Sequence, residues 1–311
     1  MIVHIGFAVA VALALNIGAN NSGIAMGPAV GAGARRKFAA VGIIALFYIL
    51  GALLVGPRVV RTVGFELLTA PLSPYALLVV APTTALVVMI LANILRVPIS
   101  TTHAAVAALI GVALYFDVAR MERVRWVLLW WGVTPLASLV ITYPIARLVA
   151  HREFGARAKR VVGVLLTLSG AYVAFAVGAN NAANSAGTLA AAGVLSPLAG
   201  AAVAAGAMAL GAIFWGGRVI DTVAHGITPL THVRALVVGA VSASITLAAS
   251  LNGVPISLTL VVATSIMGFS LATVGAKGTV DNTNVRRILA MWTASPVVAL
   301  GTTYTLAAVL R

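Results

Sequence analysis

The chain has 311 residues, 61% of them hydrophobic and only 8% charged, with a mean hydropathy of +1.09. Soluble domains are roughly half apolar and a quarter charged, so a water-facing surface cannot be built here and no separate soluble domain is left over. Lys and Arg outnumber Asp and Glu 20 to 6, a net charge of +14 that in this setting reads as basic loops beside anionic lipid rather than as a nucleic-acid surface. With no Cys, a disulfide framework, a thiolate metal site and a Cys nucleophile are all excluded.

In chain order, stretches apolar enough to cross ~30 Å of hydrocarbon run over 3–30, 38–56, 75–95, 98–116 and 125–149. The first has no Lys or Arg ahead of its apolar run, so it is read as part of the mature protein and not as a leader. Five more stretches follow in the same order over 161–191, 197–216, 233–251, 254–273 and 287–310. Identities repeat with them. Gly18-Ala19-Asn20-Asn21 returns as Gly178-Ala179-Asn180-Asn181, Gly51-Ala52 with Arg58 as Gly211-Ala212 with Arg218, and Pro98-Ile99-Ser100 as Pro255-Ile256-Ser257. The expected fold is therefore an all-α polytopic membrane protein of two repeats, residues 1–155 and 156–311, which together form one transport domain.

Five crossings per half is an odd number, so the second repeat enters the membrane inverted, as in many secondary transporters. Loop charge supports the same arrangement. Odd-numbered loops hold fourteen Lys and Arg, among them Arg35, Arg36, Lys37, Arg160 and Arg234, whereas even-numbered loops hold Arg58, Arg61, Arg120, Arg123 and Arg125. Basic loops stay in the cytoplasm, which places both termini on the extracytoplasmic side of a cell membrane. Re-entrant hairpins in place of some crossings are the alternative that would change this count.

The first stretch of each half spans about 28 residues, ~42 Å as a straight helix, and each carries the polar Gly-Ala-Asn-Asn knot. Gly and Asn tolerate irregular backbone, so both are expected to be broken helices. Irregular backbone at membrane depth persists only against protein or a water-filled cavity, which makes the breaks candidate binding sites. Asn20, Asn21 and Ser22 in the first knot, with Asn180, Asn181, Asn184 and Ser185 in the second, are neutral donors and acceptors. A half-helix starting after each knot would aim backbone N–H groups at an anion. The Pro-Ile-Ser segments describe two more helix starts, rich in hydroxyls: Ser100, Thr101 and Thr102 in one, Ser257 and Thr259 in the other. Simple capping and packing are the competing roles for all of these residues. His103 is the single titratable side chain in the four motifs and a candidate for proton coupling. No metal site is expected, and no enzyme: His-Glu-x-x-His, Gly-x-Ser-x-Gly and paired intramembrane carboxylates are all missing.

The repeated Gly-Ala-Asn-Asn knot and the Pro-Ile-Ser-Thr-Thr-His segment resemble the inorganic phosphate transporter family, including its related sulfate permeases, over nearly the whole chain. The resemblance implies an inverted-repeat permease, a homodimer, without cofactors, that binds its anion between broken helices. Asn20, Asn180 and Asn184 match family Asn positions, and Ser100, Thr101 and Thr102 match its hydroxyl cluster. Asn21 and Asn181 stand where the family has Asp, and Ile24 stands where the first half should repeat Asn184. Sodium sites of the family depend on those carboxylates, and hard cations want charged oxygen ligands, so protons are expected to drive transport rather than sodium.

The same replacement bears on substrate. Phosphate near neutral pH keeps a proton that needs an acceptor, whereas sulfate needs donors only, although an Asn carbonyl can still accept. Asn16-Ile17-Gly18-Ala19 and Met26-Gly27 also look like the sulfate permeases. The expected function is alternating-access transport of a tetrahedral oxyanion, with sulfate narrowly favoured. Phosphate transport coupled to sodium or protons is the first alternative, and an anion channel is the second.

Overall fold

The computed structural model describes residues 1–80, 82–85, 87, 100–150, 159–226, 231–280 and 283–310. Helix α1 spans Ile2–Gly31, α2 Lys37–Leu54 and α3 Gly56–Arg61, the last running on as a π turn over Thr62–Glu66. Helix α4 spans Thr101–Tyr115 and α5 Met121–Val149. In the second half come α6 at Lys159–Asn181, α7 at Ala183–Ala191, α8 at Pro197–Gly211, a π turn at Ala212–Gly216, and α9 at Gly217–Gly226. Then follow α10 at His232–Leu251, α11 at Leu258–Thr273, α12 at Gly275–Val280 and α13 at Thr283–Ala307. No strand is present among the described residues beyond one isolated bridge between Leu68 and Ala119.

Among the described residues, six helical segments are both long and apolar enough to cross a membrane: 2–31, 37–54, 121–149, 160–191, 197–224 and 232–251. Helices α4 and α11, with 15 and 16 residues, reach only about 22 to 24 Å, short of a ~30 Å core. The reading of 98–116 and 254–273 as full crossings is thus corrected: these are short helices, the dimensions of re-entrant elements. Residues Val97, Pro98 and Ile99 of the first Pro-Ile-Ser segment lie outside the described residues.

Lipid tails are as apolar as Leu, so helices in a membrane associate by close packing of small residues rather than by hydrophobic exclusion of water. The repeated glycines serve that purpose. A methyl group on Gly18 of α1 would overlap the backbone carbonyl of Met208 in α8, and one on Gly211 of α8 would overlap that of Leu15 in α1. The counterpart crossing has the same form: Gly51 of α2 abuts Phe175 of α6, and Gly178 of α6 abuts Tyr48 of α2. Each half therefore packs its first helix against the second helix of the other half, through glycines 160 positions apart.

The local geometry of the halves also matches. Gly33 and Gly193 both end their helices at φ +69°, and each donates to the carbonyl three residues back at 2.9 Å, Val30 and Ala190 respectively. Ser100 and Ser257 both cap the helix that follows, accepting from the backbone N–H of His103 at 3.0 Å and of Leu260 at 3.2 Å.

Candidate functional site

The two knots, alike in sequence, differ in structure. The first does not break its helix: α1 is continuous through Gly18–Asn21, which corrects the expectation of a broken helix there. The reason is local. The Asn21 side-chain amide donates to the Ile17 carbonyl at 2.9 Å and the Ser22 hydroxyl to the Gly18 carbonyl at 2.8 Å, so the polar groups are satisfied on their own helix without unwinding it. Gly18 serves the approach of α8, and the Tyr48 hydroxyl donates to its carbonyl at 3.3 Å. Asn20 lies on the exposed side of α1. The second knot is interrupted between α6 and α7 at Ala182 alone, a residue still in helical conformation at φ −55°, ψ −34°.

From this interruption side chains reach out to both hydroxyl segments. Asn180 donates through Nδ2 to Ser250 Oγ at 2.9 Å and to the Val254 carbonyl at 3.0 Å, and its Oδ1 accepts from the Ile256 N–H at 3.0 Å. The indole of Trp131, on α5, donates to the Pro255 carbonyl at 2.8 Å. The segment 252–257 between α10 and α11 is irregular and, from Gly253 onward, buried. Asn180 and Trp131 supply the hydrogen bonds that such backbone would otherwise lack at membrane depth. Every polar atom of Asn180 is engaged, and the donors and acceptor around it fix which way its amide points.

Asn184, one turn further along, donates to the hydroxyls of Thr102 at 3.0 Å and Thr101 at 3.4 Å, joining the second knot to the first hydroxyl segment. His103 follows those threonines, its ring stacked on Trp131 with centroids 4.0 Å apart and planes 26° apart. Thr102, His103, Asn181 and Asn184 are 2% to 3% exposed. Four of their polar atoms have no protein partner: Asn181 Oδ1, Asn184 Oδ1 and both ring nitrogens of His103.

The remaining expected residues are placed as follows. Ser185 donates to the Ala182 carbonyl at 3.3 Å, Ser100 and Ser257 cap their helices, and Thr259 is half-buried. Trp131 and Ser250 were not singled out from sequence. A Trp beside Trp130 in an apolar stretch has the look of an interfacial anchor, and only the fold shows it reaching the Pro255 carbonyl. Among the described residues no group of three or more His, Cys, Asp or Glu could hold a metal. Of the acids, Glu66 pairs with Arg123 at 3.0 Å and Arg61 at 3.7 Å, and Asp221 with Lys37 at 2.6 Å, all at exposed or half-buried positions. Glu153 and Asp281 lie outside the described residues.

An apolar helical bundle enclosing an uncharged, hydrogen-bonding cluster that joins its two halves defines a polytopic membrane protein organised around a buried polar site. The chain belongs to the phosphate transporter family, whose model matches residues 17–155 and 144–303. It is a membrane transport protein and not an enzyme. The sulfate permease CysP of Bacillus subtilis is 29% identical over 297 residues, covering 94% of this chain and 84% of that protein. Inorganic phosphate transporter 2-1 of the Arabidopsis thaliana chloroplast is 35% identical over 147 residues, 42% of this chain and 24% of its own. A solved structure titled as the sodium-dependent phosphate transporter superposes with a TM-score of 0.82 at 22% identity, covering 99% of this chain and 98% of that one. The family resemblance read from the motifs is thereby established, and the fold is that of a transporter.

Proposed function

We propose that the protein is a secondary permease for a tetrahedral inorganic oxyanion, bound between the second knot and the start of α4 and moved by alternating access. The observation that carries this reading is the clasp of Asn184 on Thr101 and Thr102, which unites both halves beside four buried polar atoms without partners. Leaving a buried donor or acceptor unsatisfied costs about 1–3 kcal/mol, so the cluster is suited to a guest that completes its bonds. Thr101, Thr102, Asn181 and Asn184 are the residues placed to meet it. Asn180, fully engaged with the segment 254–256, positions the site. Ser100 and Ser257 hold the two helix starts. Burial of Thr102, Asn181 and Asn184 fits an occluded carrier better than an open channel.

Sulfate is the narrowly favoured substrate. Among the described residues no carboxylate belongs to the cluster, and neutral donors suit an anion with no proton to give. The sulfate name of the Bacillus subtilis relative supports this choice. A second reading, phosphate, is favoured by Asn181 Oδ1 and Asn184 Oδ1, two buried acceptors without donors that could receive a phosphate proton. The Thr101 and Thr102 hydroxyls both donate and accept, so the Asn184 amide can turn either its carbonyl or its NH₂ to the guest. For coupling, His103 is the proposed proton carrier. The sodium-dependent title of the structural relative lends the preference for protons over sodium no support, and the test therefore imposes both gradients.

Radiolabelled sulfate and phosphate uptake into proteoliposomes, each with and without a sodium or proton gradient, decides among these outcomes. Sulfate uptake indifferent to sodium is expected. Sodium-driven phosphate uptake would establish the second reading, and uptake of neither would refute the oxyanion assignment. The homodimer implied by the family resemblance is checked on the same preparation by cross-linking within the membrane.

A further inference from the structure

Arg234 carries a charged group in unusual surroundings. It sits on the first turn of α10, half-buried, and its Nε is buried without a hydrogen-bond partner. The guanidinium lies over the Phe269 ring, 5.7 Å from its centroid, a contact that uses the face of the group and leaves its N–H edge free. Among the described residues, no acid lines the space around it. Arg234 borders a cavity of about 610 Å³ whose wall includes Ile24, Val173 and Val262. A second cavity, of about 840 Å³, adjoins it through Gly31, Ala32 and His232, and is lined by Arg35 and Arg160. Together they form a basic vestibule at the loops that the charge distribution assigns to the cytoplasm.

Two of its lining residues stand on helices adjoining the buried cluster. Val173 precedes Asn180 by seven residues on α6, and Val262 follows Ser257 by five on α11, distances of about 10 and 8 Å along the helices. On α10 the row that begins at Arg234 and Val238 continues at four-residue steps through Ser242 and Thr246 to Ser250, the hydrogen-bond partner of Asn180. Rows of this spacing form the inclined ridges of a helix surface. The Ser242 and Thr246 hydroxyls are completely buried and, like Arg234 Nε, have no acceptor or donor in the protein. A single unpaired hydroxyl would be incidental. Here two of them lie on α10 between an unpaired arginine at the vestibule and Ser250, the partner of Asn180.

We propose that Arg234 is a vestibular docking site for the sulfate or phosphate group, and that the Ser242–Thr246–Ser250 row leads from it to the buried cluster. This rests on the oxyanion reading above. A planar guanidinium edge matches two oxygens of a tetrahedral oxyanion, and a positively lined funnel raises the local concentration of an anion at its mouth. The same chemistry would also recognise a lipid phosphate headgroup.

The test compares wild type with Arg234→Gln and Arg234→Lys in two vesicle types, pure phosphatidylcholine and phosphatidylcholine with phosphatidylglycerol. Sulfate and phosphate uptake kinetics are read together with equilibrium dialysis of both labelled anions against detergent-purified protein. Arg234→Gln is expected to raise KM by about tenfold, the loss of one charge-assisted contact, and to raise it more than it lowers the maximal rate. Arg234→Lys should recover part of the affinity, and the effect should be the same in both vesicle types. An Arg234→Gln effect confined to anionic vesicles would assign the site to lipid and overturn the proposal, as would unchanged KM and unchanged dialysis binding. Should wild type transport neither anion, the permease reading fails separately, and the dialysis comparison alone decides whether Arg234 binds them.

Discussion

Asn181 carries an unpartnered, buried carbonyl one residue from the fully engaged Asn180. It also occupies the place where the family resemblance puts a carboxylate. Restoring that acid with Asn181→Asp should shift preference from sulfate toward phosphate, because a carboxylate accepts the phosphate proton and repels an anion that has none. The ratio of labelled uptake in proteoliposomes measures this, and an unchanged ratio would refute the proton-acceptor role of the position. His103 makes the other residue-scale prediction. Its ring is held by Trp131 while both nitrogens stay unbonded, so His103→Gln should abolish stimulation by a pH gradient and leave anion binding in place. Persistent stimulation would remove His103 from the coupling path. At this scale the sequence was informative about composition and poor about geometry. That the knots and hydroxyl segments hold the chemistry was legible from their polarity inside apolar stretches. Asn180 as a positioning group was not, because its partners lie 70 to 76 residues away.

Helix crossings set the second scale. The paired contacts of α1 with α8 and α2 with α6 each rest on two glycines whose Cα atoms meet the opposing backbone. Gly211→Val should force α1 and α8 apart, costing about 1–3 kcal/mol or more by overpacking, and should lower the thermal unfolding temperature in detergent. Gly206, with open space where its Cβ would stand, serves as the control, since Gly206→Ala should be tolerated. Trp131→Phe tests the other element-scale contact. It keeps a ring to stack on His103 but removes the N–H that satisfies the Pro255 carbonyl, an expected loss of about 1–3 kcal/mol measurable in the same melting experiment. The repeated Gly51 and Gly211 were visible as identities, but their use as crossing points was not. Nor could the opposite behaviour of the knots be read ahead: Asn20 lies exposed whereas its counterpart Asn180 bonds to Ser250, Val254 and Ile256, a choice made by what packs alongside.

For the whole molecule, the proposed inversion of the two repeats requires an odd number of crossings in each. We propose on the inverted arrangement that both termini are extracytoplasmic and that the vestibule with Arg35, Arg160 and Arg234 faces the cytoplasm. The chain has no Cys, so single-Cys variants report orientation directly. Arg36→Cys should react with an impermeant maleimide only after the cytoplasmic face is opened, and Ser73→Cys, also exposed, should react in intact cells. The reverse labelling pattern would overturn the orientation.

Composition alone determined the solvent of this protein, since so few charges can exist only in lipid, and repetition of motifs determined that one architecture is used twice. The polar character of the site was also written in the sequence, because Asn, Ser and Thr at membrane depth must find partners. Which partners they find was decided by the tertiary structure. Hydrogen bonds such as Asn184 to Thr102 or Trp131 to Pro255 join residues 82 and 124 positions apart, and only the packing of small residues brings those helices within reach. The same packing left the first helix continuous and interrupted the second at Ala182, and it set Arg234 beside a cavity lined by Val173 and Val262. A sequence of local preferences contains no term for such distances.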